Sequence, residues 1–173
     1  CSDSEIKYHI DEVSFPNDTL TYLKSDMSLL NGIVYSELGE LGEFINGERE
    51  GRHKRWYENG QLRFEGNYIN RKEDGLFKIC KENGDLSHTN NYKNGKRDGI
   101  SKIYIDGKLS SSSEYKNGKE DGLWKGWYDN GQLRFEGNYI NGKEDGLWKG
   151  WNENDQLSFE GSYINGENDG IHK

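Results

Sequence analysis

The sequence predicts an all-β fold, an elongated single-layer antiparallel sheet of tandem β-hairpin repeats, and three observations carry that expectation. Glycine following an acidic or polar residue recurs at Gly32, Gly51, Gly75, Gly99, Gly122, Gly146 and Gly170, with gaps of 19, 24, 24, 23, 24 and 24 residues. A fixed period of this length marks one supersecondary unit repeated along the chain. Asn-Gly pairs fall between short segments in which apolar and polar residues alternate, the signature of hairpin turns and half-buried strands. Only 31% of the residues are hydrophobic and mean hydropathy is -1.11, yet 13% are aromatic, so apolar surface must lie in thin, regular strips. The single Pro against 23 Gly fits ladders that tolerate turns and bulges but no missing donor.

Residues 1–30 read as an N-terminal leader and capping hairpin. Val13-Ser14-Phe15 and Leu20-Thr21-Tyr22 flank Pro16-Asn17-Asp18, a turn sequence. The hairpin is expected to cap the exposed sheet edge as a worn-down first repeat. Cys1 opens a chain without an initiator Met and precedes the polar Ser2, Asp3, Ser4 and Glu5. That is the form of a bacterial lipoprotein after signal removal, so the expectation is a lipid on Cys1 and a cell-envelope location; the alternative is a sequence trimmed at that point. Cys80 sits in a repeat column and reads as a small buried hydrophobe.

Residues 31–173 read as the tandem repeats. The clearest copy starts at Gly122, turns at Asn130-Gly131 and ends in Asn141-Gly142. Its second strand alternates, with Leu133, Phe135, Gly137 and Tyr139 on one face and Arg134, Glu136 and Asn138 on the other. In the first strand Leu123, Lys125 and Trp127 share one face, and Trp124, Gly126 and Tyr128 the other. The third position after the repeat glycine is lysine at Lys54, Lys78, Lys102, Lys125, Lys149 and Lys173, a column expected to face water with its stems laid over neighbours. Trp56, Cys80, Tyr104, Trp127 and Trp151 follow two positions later, a partly exposed aromatic column.

The run from Phe135 through Gly137, Tyr139 and Gly142 to Gly146 resembles the MORN repeat pattern, and the longer unit with Gly-Leu-Trp-Lys and Asn-Gly-Gln-Leu resembles its bacterial variant. Phe64 to Gly75 and Phe159 to Gly170 match nearly as well, whereas the copies around His88 and Ser111 are degenerate. The resemblance covers about Gly32 to Lys173. Trp124 and Trp148 stand where typical MORN units carry a small residue, and Gly126 and Gly150 where they carry an aromatic, a volume-conserving exchange on a packed face. The resemblance implies a twisted run of hairpins and a recognition or scaffolding role without catalysis. It also extends to bacterial proteins labelled YwqK-type antitoxins.

The residues themselves offer no chemistry that competes with binding. His9, His53, His88 and His172 are scattered, with no metal-ligand spacing, and the Lys-Glu-Asp-Gly turns at 72–75 and 143–146 lack a calcium-loop pattern. Asp74, Asp121 and Asp145 read as turn-stabilising residues. No nucleophile elbow, P-loop or dinucleotide fingerprint is present, and no cofactor is expected. A net charge of -8 disfavours nucleic acid and anionic lipid as partners. The expected binding residues are Trp56, Tyr104, Trp127 and Trp151 with Lys125, Lys149, Arg63 and Arg134, because Trp, Tyr and Arg dominate interface energetics. The alternative is that these rings only hold the sheet together. A protein partner is the first expectation, with membrane contact only through Cys1. The rivals are a cytoplasmic toxin partner and a glycan or cell-wall ligand.

Overall fold

The computed structural model describes residues 6–16 and 20–170. Cys1, Asn17, Asp18, His172 and Lys173, on which part of the sequence reading falls, lie outside the described residues. The chain divides into two compact units, Cys1–Gly84 and Asp85–Lys173. The boundary between them falls within residues 31–173.

In the first unit the strands are β1 (Lys7–His9), β2 (Val13–Ser14), β3 (Tyr22–Leu23), β4 (Gly32–Ser36), β5 (Gly39–Ile45), β6 (Glu48–Trp56), β7 (Leu62–Ile69), β8 (Lys72–Glu73) and β9 (Gly75–Cys80). β4 to β9 pair antiparallel with their sequence neighbours, β7 taking both β8 and β9. The expected leader hairpin forms, Val13 pairing with Leu23 and Ser14 with Tyr22. It does not extend the main sheet: β2 and β3 form a separate two-stranded sheet. Val13 is buried with Leu30, Val34, Leu41 and Phe44, the apolar cluster of this unit. β1 is the exception to an all-antiparallel sheet. It runs parallel to β4, Lys7 opposite Ile33 and His9 opposite Tyr35, because the hairpin separates the two strands and lets the chain return in the same direction.

In the second unit the strands are β10 (Leu86–Lys93), β11 (Lys96–Arg97), β12 (Gly99–Ile105), β13 (Lys108–Lys116), β14 (Lys119–Trp127), β15 (Leu133–Ile140), β16 (Lys143–Glu144), β17 (Gly146–Trp151), β18 (Leu157–Ile164) and β19 (Glu167–Asn168). All pair antiparallel in chain order.

Two kinds of turn alternate. Asn141 (φ 53°) and Gly142 (φ 83°) are both left-handed, the two-residue hairpin geometry expected for Asn-Gly. The Asn130-Gly131 turn differs, since Gly131 (φ 85°) alone is left-handed. Asn130 instead uses its side chain: Oδ1 accepts from the Gln132 amide at 2.9 Å, fixing a wider turn closed by Tyr128 N donating to Gln132 O.

Candidate binding face

The two faces of each sheet are built by different rules. On one face, rings and glycines alternate from strand to strand. In the second unit, Trp124 on β14 stands opposite Gly137 on β15, and Trp148 on β17 opposite Gly161 on β18. One step along, Gly126 faces Phe135 and Gly150 faces Phe159. Gly137 has no unusual φ; a Cβ there would come within 2.0 Å of the Trp148 ring, and one at Gly126 within 2.3 Å of the Phe135 ring. These glycines are therefore seats for rings, not turn residues. The rings contact edge-on, Trp124 with Trp148 at 6.0 Å and Tyr139 with Trp148 at 5.3 Å between centroids, the arrangement the ring quadrupole favours. The inward placement of Trp124, Gly126, Phe135, Gly137 and Tyr139 agrees with the sequence parity.

The first unit follows the same rule with one substitution. His53 takes the Trp column, opposite Gly66 on β7 and over Gly42 on β5, where a Cβ would come within 2.5 Å of its ring. The imidazole stands edge-on to Phe44 at 5.1 Å and to Tyr68 at 5.3 Å. It is 1% exposed. Its Nε2 lies 2.8 Å from Glu43 O and 3.1 Å from Glu50 O, which assigns the proton to Nε2 as donor and leaves Nδ1 without a partner. Burial, with Arg55 and Arg49 nearby, lowers its pKa from 6.5 to about 4.

The opposite face carries charge in register. The lysine column does not simply lie in water: Lys125 pairs with Glu136 at 3.0 Å and Lys149 with Glu160 at 3.4 Å, each directly across the ladder, and Lys54 reaches Glu65 at 3.9 Å. Leu123, Ile140, Leu147 and Ile164 are exposed large hydrophobics in these strands.

Turns of one repeat are clasped to the next. The Tyr57 hydroxyl donates to Cys80 O at 2.9 Å and the Tyr128 hydroxyl to Trp151 O at 2.8 Å, while Asn59 and Asn130 side chains donate to Glu82 O and Glu153 O. At the other end the Asp121 and Asp145 carboxylates accept from the backbone of Asn141 and Asn165. The acids before the glycines thus stabilise the following turn rather than their own, a partnership about 20 residues distant that local spacing does not reveal.

The sequence-predicted binding residues divide between the units. In the first, half-buried Trp56 packs against the Val13, Leu30, Val34, Leu41 and Phe44 cluster, and the Arg63 guanidinium lies 5.7 Å from the centre of the Tyr57 ring. In the second, Tyr104, Trp127 and Trp151 are half-buried. Each follows a one-residue register shift, at Ile103/Tyr104, Gly126/Trp127 and Gly150/Trp151, a bulge that re-aims the side chain. Sequence parity alone does not disclose these bulges. Trp127 lines an open cleft of about 520 Å³ with Lys108, Leu109, Asp129, Asn130 and Gly131. Lys125 and Lys149 are engaged with glutamates, and Arg134 stacks on the Tyr128 ring at 5.7 Å. Cys80 is a half-buried free cysteine whose pKa burial pushes up. Among the described residues no group of three or more His, Cys, Asp or Glu is placed to hold a metal ion. Likewise, no helix is long and apolar enough to cross a membrane.

No curated protein matches the chain in sequence. Among solved structures, a mutant of S. aureus TarM in complex with fondaparinux, alpha-GlcNAc-glycerol and UDP is similar over 68% of this chain at 9% identity, with a TM-score of 0.32. The chain spans 21% of that protein's length, and a likeness this weak carries no functional argument. The family model described as the MORN repeat variant matches residues 49–70 in the first unit and residues 120–141 and 144–165 in the second, and MORN repeats are in general non-enzymatic scaffolds that bind protein or membrane.

Proposed function

We propose that this protein is a non-enzymatic repeat scaffold that holds a protein partner on its second unit, with Trp127 as the anchor and Tyr104, Trp151, Lys125, Lys149 and Arg134 around it. The observation that carries the reading is the cleft beside Trp127. A large ring, half-buried at a register shift, borders an open concavity that is also lined by the aliphatic Leu109 and by Lys108, whose Nζ donates to Asp129 O at 2.7 Å. Interfaces draw most of their energy from such anchors seated among polar rim groups. The ring face supports the same reading from the other side. Its rings are already seated on glycines of the same sheet, which leaves the register-shifted Trp residues as the aromatic surface open to a partner.

The test is site-specific photo-crosslinking from position 109, at the cleft rim, in the cells that produce the protein, with Trp127→Ser as the comparison. The expected result is one predominant crosslinked protein, lost in Trp127→Ser while the melting temperature stays within a few degrees. Crosslinks unchanged by Trp127→Ser would overturn the anchor assignment. A product sensitive to glycosidase and not to protease would replace the protein partner with a glycan.

A further inference from the structure

The first unit holds a second concavity that the repeat rule does not require. It is an open groove of about 470 Å³ bordered by Arg49, Arg55, Arg63, Phe64, Tyr68 and Ile79, with His53 beneath. Three arginines line it on a chain whose net charge is -8, Arg49 and Arg55 close enough to repel one another, and no carboxylate lines the groove. The other arginines of this unit are paired, Arg52 with Glu65 and Arg71 with Glu48, whereas no described carboxylate stands within ion-pair distance of Arg49, Arg55 or Arg63.

Each of the three is held by a ring instead of a counter-ion. Arg49 lies 5.4 Å from the centre of Tyr68 and donates to its hydroxyl at 3.2 Å. Arg55 lies 5.6 Å from the centre of Phe15 and donates through one nitrogen to Lys54 O at 2.8 Å and Leu41 O at 3.4 Å. Arg63 lies 5.7 Å from the centre of Tyr57. A guanidinium carries five N–H donors, so most of the donors of this trio are left for another acceptor.

Other repeats of the same chain provide the comparison. The position of Arg55, four after the repeat glycine, is Ile79, Ile103, Gly126 and Gly150 elsewhere, and that of Arg49 is Glu73, Glu120 and Glu144 in three other copies. Gly126 and Gly150 seat phenylalanine rings. In this copy the seat is filled by a long cation that is partly buried, and burial together with the Arg49 charge lowers its pKa to about 10. A desolvated cation without a counter-ion is costly, and an anion entering the groove offsets that cost.

We infer that the groove framed by Arg49, Arg55 and Arg63 is a binding site for an organic carboxylate with an apolar body, the carboxylate lying between the guanidinium groups and the body against Phe64, Tyr68 and Ile79. The flat fork of a guanidinium matches the two oxygens of a carboxylate, and the apolar wall accounts for the remaining surface of the ligand. A free small acid and the terminal carboxylate of a peptide share this chemistry. The site uses no residue of the second unit, so it stands or falls separately from the Trp127 anchor.

The test is isothermal titration of the full chain with benzoate, benzamide, inorganic phosphate, N-acetylphenylalanine and the amide of that amino acid. Benzoate is expected to bind at one site, at least tenfold tighter than benzamide, since a hydrogen-bonded charge contributes more than one such factor. Arg55→Gln and Arg63→Gln are each expected to weaken it about tenfold or more, with melting temperatures showing both variants folded. Arg63 is exposed, so its replacement tests the site even where Arg55→Gln perturbs the fold. N-acetylphenylalanine exceeding benzoate while its amide fails would identify a peptide terminus as the source; benzoate exceeding it would identify a free acid. Phosphate binding as tightly as benzoate would overturn the apolar body. Binding of benzoate unchanged in both variants, or no binding of any acid, would overturn the site.

Discussion

Buried His53 makes the first unit sensitive to acid, and its contribution can be worked out. A folded-state pKa depressed from 6.5 to about 4 means that the native state holds the ring neutral where the unfolded chain takes up a proton. The associated stability is fully present above about pH 6.5, declines as pH falls towards about 4, and is gone below that. Each pH unit separating the folded and unfolded pKa values corresponds to about 1.36 kcal/mol, so the full loss is on the order of 3 kcal/mol, of which about 2.5 kcal/mol is lost between pH 7.5 and 4.5. Small domains have only about 5–15 kcal/mol in total. The perturbation is His53→Phe, which places in this column the ring type that Phe77 already supplies at the same repeat position. It removes the Nε2 donor from Glu43 O and Glu50 O, at a cost of about 1 kcal/mol at neutral pH, and removes the titrating group. Urea unfolding of both proteins at pH 7.5 and 4.5, followed through resolved amide peaks of β5 to β7, checks this. Carboxylates titrate in both proteins, so the difference between them isolates His53. The wild type is expected to lose about 2.5 kcal/mol more than the variant over that interval. Equal losses would refute the assignment of His53 as a buried neutral ring.

Two further outcomes test the architecture of the second unit. Gly137→Ala is expected to destabilise it by about 1–3 kcal/mol in urea melts and to shift tryptophan emission, because the added Cβ meets the Trp148 ring with no backbone strain involved; a neutral Gly137→Ala would remove the ring-on-glycine rule. Tyr128→Phe keeps the ring under Arg134 and deletes only the hydroxyl that donates to Trp151 O, so a loss of about 1 kcal/mol by the same melts is expected, and no loss would show the clasp to be dispensable.

Local pattern was sufficient for what local physics controls. The Asn-Gly pairs mark the hairpin turns, and the alternation of Phe135, Gly137 and Tyr139 with Glu136 and Asn138 separates the ring face from the charged one, as the contacts confirm. The hairpin across Pro16 forms, with Val13 opposite Leu23 and Ser14 opposite Tyr22, so its second strand ends one residue beyond the run read from the sequence. Partnerships between repeats were not legible. Tyr128 reaching Trp151 and Asp121 reaching the Asn141 amide join residues 23 and 20 apart, and their register depends on bulges that leave no residue-type signal. The parallel β1 was invisible for the same reason, since nothing within Lys7–His9 encodes its partner. The groove of Arg49, Arg55 and Arg63 had one available signal: an arginine at a position that other copies fill with glycine or isoleucine.

That signal points to a general consequence of alternating rings with glycines. A face built this way is self-filling, because rings such as His53, Phe77, Phe135 and Trp148 occupy the space that a facing glycine's missing side chain leaves. Such a face gains packing and loses open concavity, so binding capacity must arise where the alternation breaks. The chain breaks it in three ways. Arg55 replaces a seat with a cation, and the groove stands beside it. The register shift that ends the alternation in the first strand of a copy, before Trp56, Tyr104, Trp127 and Trp151, re-aims a ring, and at Trp127 that ring borders a cleft. In the degenerate copies Ser101 and Ser113 stand in the ring and glycine positions, and there the Ser101 hydroxyl and Asn90 Oδ1 meet at 2.9 Å in place of rings, closing the row with a buried polar pair. The third break satisfies itself and leaves no opening. The first two leave unsatisfied donors and an open aromatic edge, which is why the carboxylate site and the protein anchor are assigned to them.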